Sequence, residues 1–218
     1  MNSVAIILLI IAAFMHAGWN LLSKSQRPSA AFFLLASVAG GLFLLPVLLW
    51  HADKVAAIPP GVWLLIALAG LCQAGYYCGL AGAYRHGDMS IAYPLARSSP
   101  VIVVTIATVV LGRVDDISRQ CIVGIFLVVA GCFVLPMTRF NKFRLKNYLN
   151  LTCVLALVAA FGTAGYSMLD DEALRQLRGL ASNKSSMIAT TLVYSCLEAL
   201  SCSAWLLLYV LALPGERA

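Results

Sequence analysis

An arginine inside an apolar segment is the first group in this chain that could do chemistry. Arg97 stands in GDMSIAYPLARSSPVIV, residues 87–103, between Pro94 and Pro100. Apart from that residue, Met89 to Leu111 is apolar enough to cross a bilayer. A charge deep in a spanning helix costs about 2.5–3.5 kcal/mol on insertion scales, so it faces a cavity, a partner or the headgroups. Each proline leaves the carbonyl four residues earlier, Ser90 or Ala96, without its helical donor. Loosened backbone at membrane depth is satisfied by protein or by a watery cavity. Ser98 and Ser99 offer local hydrogen bonds. Two readings stay open. Arg97 binds an anionic or polar substrate group at a helix break, or it snorkels from about a third of the way in to the nearer surface.

Three other groups of side chains invite the same question. His16, Trp19 and Asn20 share one helical face by their i, i+3, i+4 spacing. A histidine and an asparagine in lipid need partners, so this face points inward; Trp19 reads equally as an interface anchor and as a ligand platform. Gln73, Tyr76 and Tyr77 form a second face with the same spacing, with Tyr84 beyond it. They read as bundle packing or as ligand contacts. Glu198 lies near the centre of the last apolar run, with Tyr194, Ser201, Cys202 and Trp205 on its face. A carboxyl there is a neutral, hydrogen-bonded structural group or part of a proton or cation site.

Composition decides what must position these groups. The chain has 218 residues, 61% hydrophobic and 11% charged; soluble domains carry about a quarter charged residues. Apolar runs long enough to span recur seven times, so the expected fold is all-α, a polytopic transmembrane bundle. The spans lie at about Ser3–Leu22, Ala30–Trp50, Gly61–Tyr84, Met89–Leu111, Ile117–Leu135, Leu149–Leu169 and Met187–Leu213. The first is retained rather than cleaved, because MNSVAII has no basic start. Small residues mark close helix approach: Ala36 and Gly40 with Ser37 and Gly41 in the second span, and Gly75, Gly79 and Ala83 in the third. The net charge of +6 reads as loop lysines and arginines near headgroups. In a membrane chain a net charge this modest does not point to nucleic acid, which is not expected as a partner. The seven cysteines form no C-x-x-C pair and read as small buried hydrophobes.

Two endings echo one another. AGWNLL (Ala17–Leu22) and AGYSML (Ala164–Leu169) each close a span, which indicates an internal repeat. The second copy comes five spans after the first, an odd number, so it crosses in the opposite direction, the inverted-repeat plan of many transporters. The basic run RFNKFRLKN marks the clearest break in the chain. The expected units are therefore a five-helix repeat over 1–137, a basic linker over 138–148 and two helices of a second repeat over 149–218.

The sequence resembles the EamA branch of the drug/metabolite transporter superfamily. HAGWNLLSK, GDMSIAYPLARSSPVIV and CIVGIFLVVAGCFVL, with Gly124 and Gly131 at glycine positions of the family, carry the resemblance over roughly residues 3–170. It implies ten helices in two inverted five-helix repeats around a central cavity, with movement of small metabolites, amino acids or drugs and no ATP hydrolysis. This chain departs from the pattern at Gly112, where Arg113 follows in place of an acid, and in a second repeat that stops after two spans.

The expected function is a secondary transporter in the cytoplasmic membrane. The expected substrate-binding residues are Arg97, Tyr93, Trp19, Asn20, Gln73, Tyr76 and Tyr77. His16 and Glu198 are candidates for proton coupling, and Pro94 and Pro100 for helix breaks. No cofactor, metal or catalytic residue is expected. Paired carboxylates at catalytic spacing, a metal cluster and a phosphate-cradling loop are all missing from the sequence, so an enzyme is not expected. The alternative is a non-transporting remnant or an assembly subunit, whose bundle is completed by a second membrane chain or by a homodimer. Lysine and arginine counts favour the side of residues 139–146 as cytoplasmic.

Overall fold

Backbone groups in a bilayer must find their partners within the segment, so the apolar runs fold as helices. The computed structural model of the protein describes residues 3–25, 29–86, 89–110, 112, 118–134, 151–179 and 184–216. They form α1 (Ser3–Ser25), α2 (Ala30–Trp50), a short α3 (Ala52–Ala56), α4 (Pro60–His86), α5 (Met89–Val110), α6 (Arg119–Val134), α7 (Leu151–Arg178), α8 (Lys184–Ala212) and a 3-10 turn, Pro214–Glu216. Among the described residues, four helices are long and apolar enough to cross a membrane: α2, α4, α7 and α8 from Ser186. Shorter apolar stretches, Ile6–Gly18, Ser99–Val110 and Gln120–Gly131, lie on α1, α5 and α6. The protein is thus an all-α bundle of the polytopic membrane type.

Two boundaries differ from the sequence reading. The connection after α2 contains the helix α3. The sixth span, expected to end at Leu169, continues as α7 to Arg178. Its polar side chains pair along the helix, with Arg175 and Gln176 both donating to Glu172. Its apolar side chains Ala173 and Leu177 are buried against Val62 and Ile66 of α4. A helix with one apolar face and paired charges on the other has no reason to end at the first aspartate. Helix α5 is continuous through Pro94 and Pro100 rather than broken at either.

Helix α4 is the centre of the core. It packs antiparallel to α7 through glycines. A Cβ added to Gly79 would lie 2.8 Å from the Ala159 nitrogen, and one added to Gly162 would lie 2.7 Å from both the Cys72 carbonyl oxygen and the Tyr76 nitrogen. Only hydrogen at these positions lets the two backbones approach this closely. Helix α8 runs parallel to α4, with Ser201 Oγ donating to the Ile66 carbonyl at 3.1 Å and Trp205 Nε1 donating to the Ala67 carbonyl at 3.0 Å. Helix α2 runs antiparallel to α8: Ser37 Oγ donates to the Ala199 carbonyl at 3.1 Å and the Cys196 thiol to the Gly41 carbonyl at 3.5 Å. Of the small pairs in α2, Ser37 and Gly41 therefore form the seam, while a Cβ at Gly40 would meet nothing within 4 Å. Cys153, Cys196 and Cys202 are buried as expected, whereas Cys121 on α6 is exposed; none of the described cysteines is in a disulfide.

Candidate functional site

The glycine seam between α4 and α7 also builds a cavity. Gly162 and Gly165 let α7 close on the turn Cys72–Tyr76 of α4. The residue after Gly165, Tyr166, is thereby brought to Tyr76, with ring centroids 6.1 Å apart at 67°. Tyr76 in turn tilts against Tyr77 at 5.1 Å, and Tyr77 stacks on Phe33 of α2 at 4.8 Å and 20°. A continuous set of rings thus crosses from α7 through α4 to α2.

Beside these rings lies a cavity of about 390 Å3, lined by His16, Ala36, Gln73, Tyr76, Tyr77 and Tyr166. Its volume lies at the lower end of small-molecule sites. Gln73 makes no side-chain hydrogen bond among the described residues, so its amide donor and acceptor are available to an occupant. Three tyrosines add ring faces and hydroxyls, which suit an amphipathic guest. The i, i+3, i+4 spacing of Gln73, Tyr76 and Tyr77 puts all three on the wall, and His16 reaches it from α1.

A second polar group adjoins the cavity. Asp170 lies one turn beyond Tyr166 on α7, and its Oδ1 accepts a hydrogen bond from the Tyr194 hydroxyl at 2.7 Å. Glu198, one turn beyond Tyr194, is partly buried. It stands near enough to Asp170 and to Tyr77 for their charges to interact. The other members of the Glu198 face join α8 to α4, with Ser201 and Trp205 bonded to its carbonyls and Cys202 buried. Among the described residues no group of three His, Cys, Asp or Glu side chains is placed to hold a metal ion.

The structure therefore brings together four of the residues singled out from sequence: His16, Gln73, Tyr76 and Tyr77. Glu198 is not among the residues that line the cavity. The side chains of Trp19, Asn20, Tyr93, Pro94 and Arg97 lie outside the described residues; Pro100 is buried in α5. Tyr166 and Asp170 were not singled out. The signal for Tyr166 was present, since pairing AGYSML with AGWNLL sets Tyr166 at the position of Trp19.

No curated protein and no solved structure matches the chain. The model of the EamA-like transporter family matches residues 3–137, more than half of its length. That family is one of transporters and not of enzymes. The chain is an integral membrane protein and belongs to the EamA-like transporter family of the DMT superfamily.

Proposed function

We propose that the protein is a secondary transporter that moves small metabolites, amino acids or drugs across the cytoplasmic membrane by alternating access. The observation that carries this is the polar cavity among apolar helices, with an unengaged amide and three tyrosines on its wall. In this reading Gln73, Tyr76, Tyr77 and Tyr166 hold the substrate, and Trp19, Asn20 and Tyr93 join them in binding it. Arg97 attracts an anionic or polar substrate group. His16 and Glu198 carry the proton whose movement drives transport, and Asp170, fixed by Tyr194, sets the surroundings of Glu198.

Residues 149–218 are the start of a second, inverted repeat. The helix directions support this. Helix α2 is antiparallel to α8, which runs with α4, and α7 is antiparallel to α4; α2 and α7 therefore run the same way. Only four residues separate α1 from α2, so α1 runs opposite to both. The two matched endings, on α1 and α7, thus cross in opposite directions.

The test is flux of a radiolabelled amino-acid mixture, and separately of a panel of small drugs, into proteoliposomes holding the purified chain. Gln73→Ala and Tyr166→Ala should each lower flux by about ten-fold through loss of a buried polar contact, and Arg97→Ala should abolish it. Full flux in the Gln73 and Tyr166 variants would remove the cavity from the pathway.

A further inference from the structure

Glu216 joins three helices at one end of the bundle. Its Oε1 accepts from the Arg85 guanidinium at 2.5 Å, and its Oε2 accepts from the backbone N–H of Ala30 at 3.1 Å. Arg85 lies on the last turn of α4, Ala30 is the first residue of α2, and Glu216 follows α8. The N–H of Ala30 is one of the four that a helix start leaves without an internal partner. Ser29 Oγ takes another, from Phe32 at 3.2 Å. A carboxylate at this position also meets the positive end of the α2 dipole. The Glu216 side chain is only 14% exposed, so this contact is more enclosed than an ordinary surface ion pair.

A second layer lies directly inside it. Ala30, Phe33 and Ala36 share a face of α2 and cover roughly 9 Å of helix axis. Phe33 is fully buried and stacks on Tyr77. Ala36 and Tyr77 then line the cavity. Along α2, the Phe33–Tyr77 stack thus stands between the cavity wall at Ala36 and the Ala30–Glu216 contact at the helix start. Helix α8 is pinned to α4 far from this end. A Cβ at Gly70 would lie 2.3 Å from Ser201 Oγ and 2.8 Å from the Cys202 nitrogen. From Ser201 to Glu216 the chain runs roughly 22 Å at helical rise, a lever about that fixed point.

We propose that Glu216 is the latch of a gate at this end of the cavity, an inference that rests on the transport reading above. Release of Glu216 from Arg85 and Ala30 frees the first turn of α2. Phe33 then leaves the Tyr77 ring, and the cavity opens toward the membrane face at which α4 ends. Water takes the place of the carboxylate at the Ala30 N–H. Because the chain carries the latch closed, the structure is the state shut on that face.

The test reads the gate without a substrate. Ala36→Cys places a thiol in the cavity wall, behind Phe33. In proteoliposomes holding the full chain, its modification by 2-(trimethylammonium)ethyl methanethiosulfonate is followed by peptide mass spectrometry, as a ratio to the exposed Cys121. Glu216→Gln and Arg85→Met should each raise the ratio about ten-fold, the size expected for losing a hydrogen bond to a charged group. The double variant should do no more than either single one, because both cut the same latch. Arg85→Lys should stay near the parent rate. An unchanged ratio in both single variants overturns the latch, and so does a double variant equal to the product of the two. Hydrogen exchange on the unaltered chain gives a reading that needs no variant. Exchange over residues 33–36 while 74–83 stays protected supports the gate; equal protection of both overturns it. Loss of flux in the transport assay with a working latch would sink the transport reading alone, and a silent latch leaves the cavity as the substrate site.

Discussion

Helix α4 is held on its two sides by different means. Toward α7 the contact is backbone on backbone at Gly79 and Gly162, while Gly82 and Gly165 sit against the side chains of Leu155 and Cys72. Toward α8 there is one such point, at Gly70, and the rest is made by side chains: Ser201 and Trp205 to the Ile66 and Ala67 carbonyls, Cys202 and Leu206 in one apolar cluster with Ala74 and Leu80, and finally the Arg85–Glu216 pair. Backbone contact leaves nothing that can rotate out of the way, so the α4–α7 seam moves as one body. Side-chain contacts can be exchanged for water or for another partner. The α4–α8 seam is therefore the place where this bundle can change shape, and the cavity, whose aromatic wall stands on α4 and α7, keeps its geometry while its end opens.

The strongest way to break this comparison is to add one carbon to the tight seam. Gly162→Ala would set a methyl 2.7 Å from two backbone atoms of α4. Neither atom can turn aside, so the helices must part, and the cost should reach about 3 kcal/mol, the upper part of the overpacking range. Thermal unfolding in detergent, followed by circular dichroism, measures it. Gly75→Ala is the control, because a Cβ there meets nothing within 4 Å; it should unfold at or slightly above the parent temperature. Equal behaviour of the two variants would mean that the seam is not backbone-tight.

The other seam should respond weakly. Ser201→Ala and Trp205→Phe each remove one donor to a carbonyl that already serves the α4 ladder. Hydrogen bonds between membrane helices average about 0.6 kcal/mol, so each variant should cost about 0.5–1 kcal/mol. The same unfolding assay checks both. A loss of several kcal/mol in either would place α8 beside α7 as a rigid neighbour and remove the lever that the gate requires.

How much of this could be read from sequence depended on the distance over which each partner lies. Gln73, Tyr76 and Tyr77 were visible as a face because their spacing is local, and His16 stood out as a polar group in an apolar run. The small pair Ser37 and Gly41 was legible in the same way, although spacing could not tell it, the pair that meets α8, from Ala36 and Gly40. Tyr166 needed the repeat to be followed residue by residue. Asp170 looked like the start of a linker, because its acceptor role depends on Tyr194, 24 residues away. Glu216 carried no pattern at all: its partner Ala30 lies 186 residues away and Arg85 lies 131 away.

Acid gives the finest test of the contrast between the two seams, because only one of them is held by a charge. Burial works to raise the Glu216 pKa. The hydrogen bonds from Arg85 and the Ala30 N–H, together with the charges of Arg85 and His86, outweigh it and hold the carboxyl below its usual range. Cys78 of α4 and Tyr209 of α8 face the same carboxylate. A group whose pKa is depressed by folding adds stability that is complete above its unfolded value and disappears as pH falls through the folded one. The latch should therefore hold at pH 5 and above, and weaken only in acid below the ordinary carboxylate range. The unfolding temperature of the parent minus that of Glu216→Gln isolates this, since all other groups titrate alike in both. The difference should be constant at neutral pH and shrink toward zero in acid. Gly79→Ala, a change in the other seam, should show no such convergence. A difference that persisted in acid would mean that Glu216 acts by packing rather than by charge, and the gate would then have no ionic latch to release.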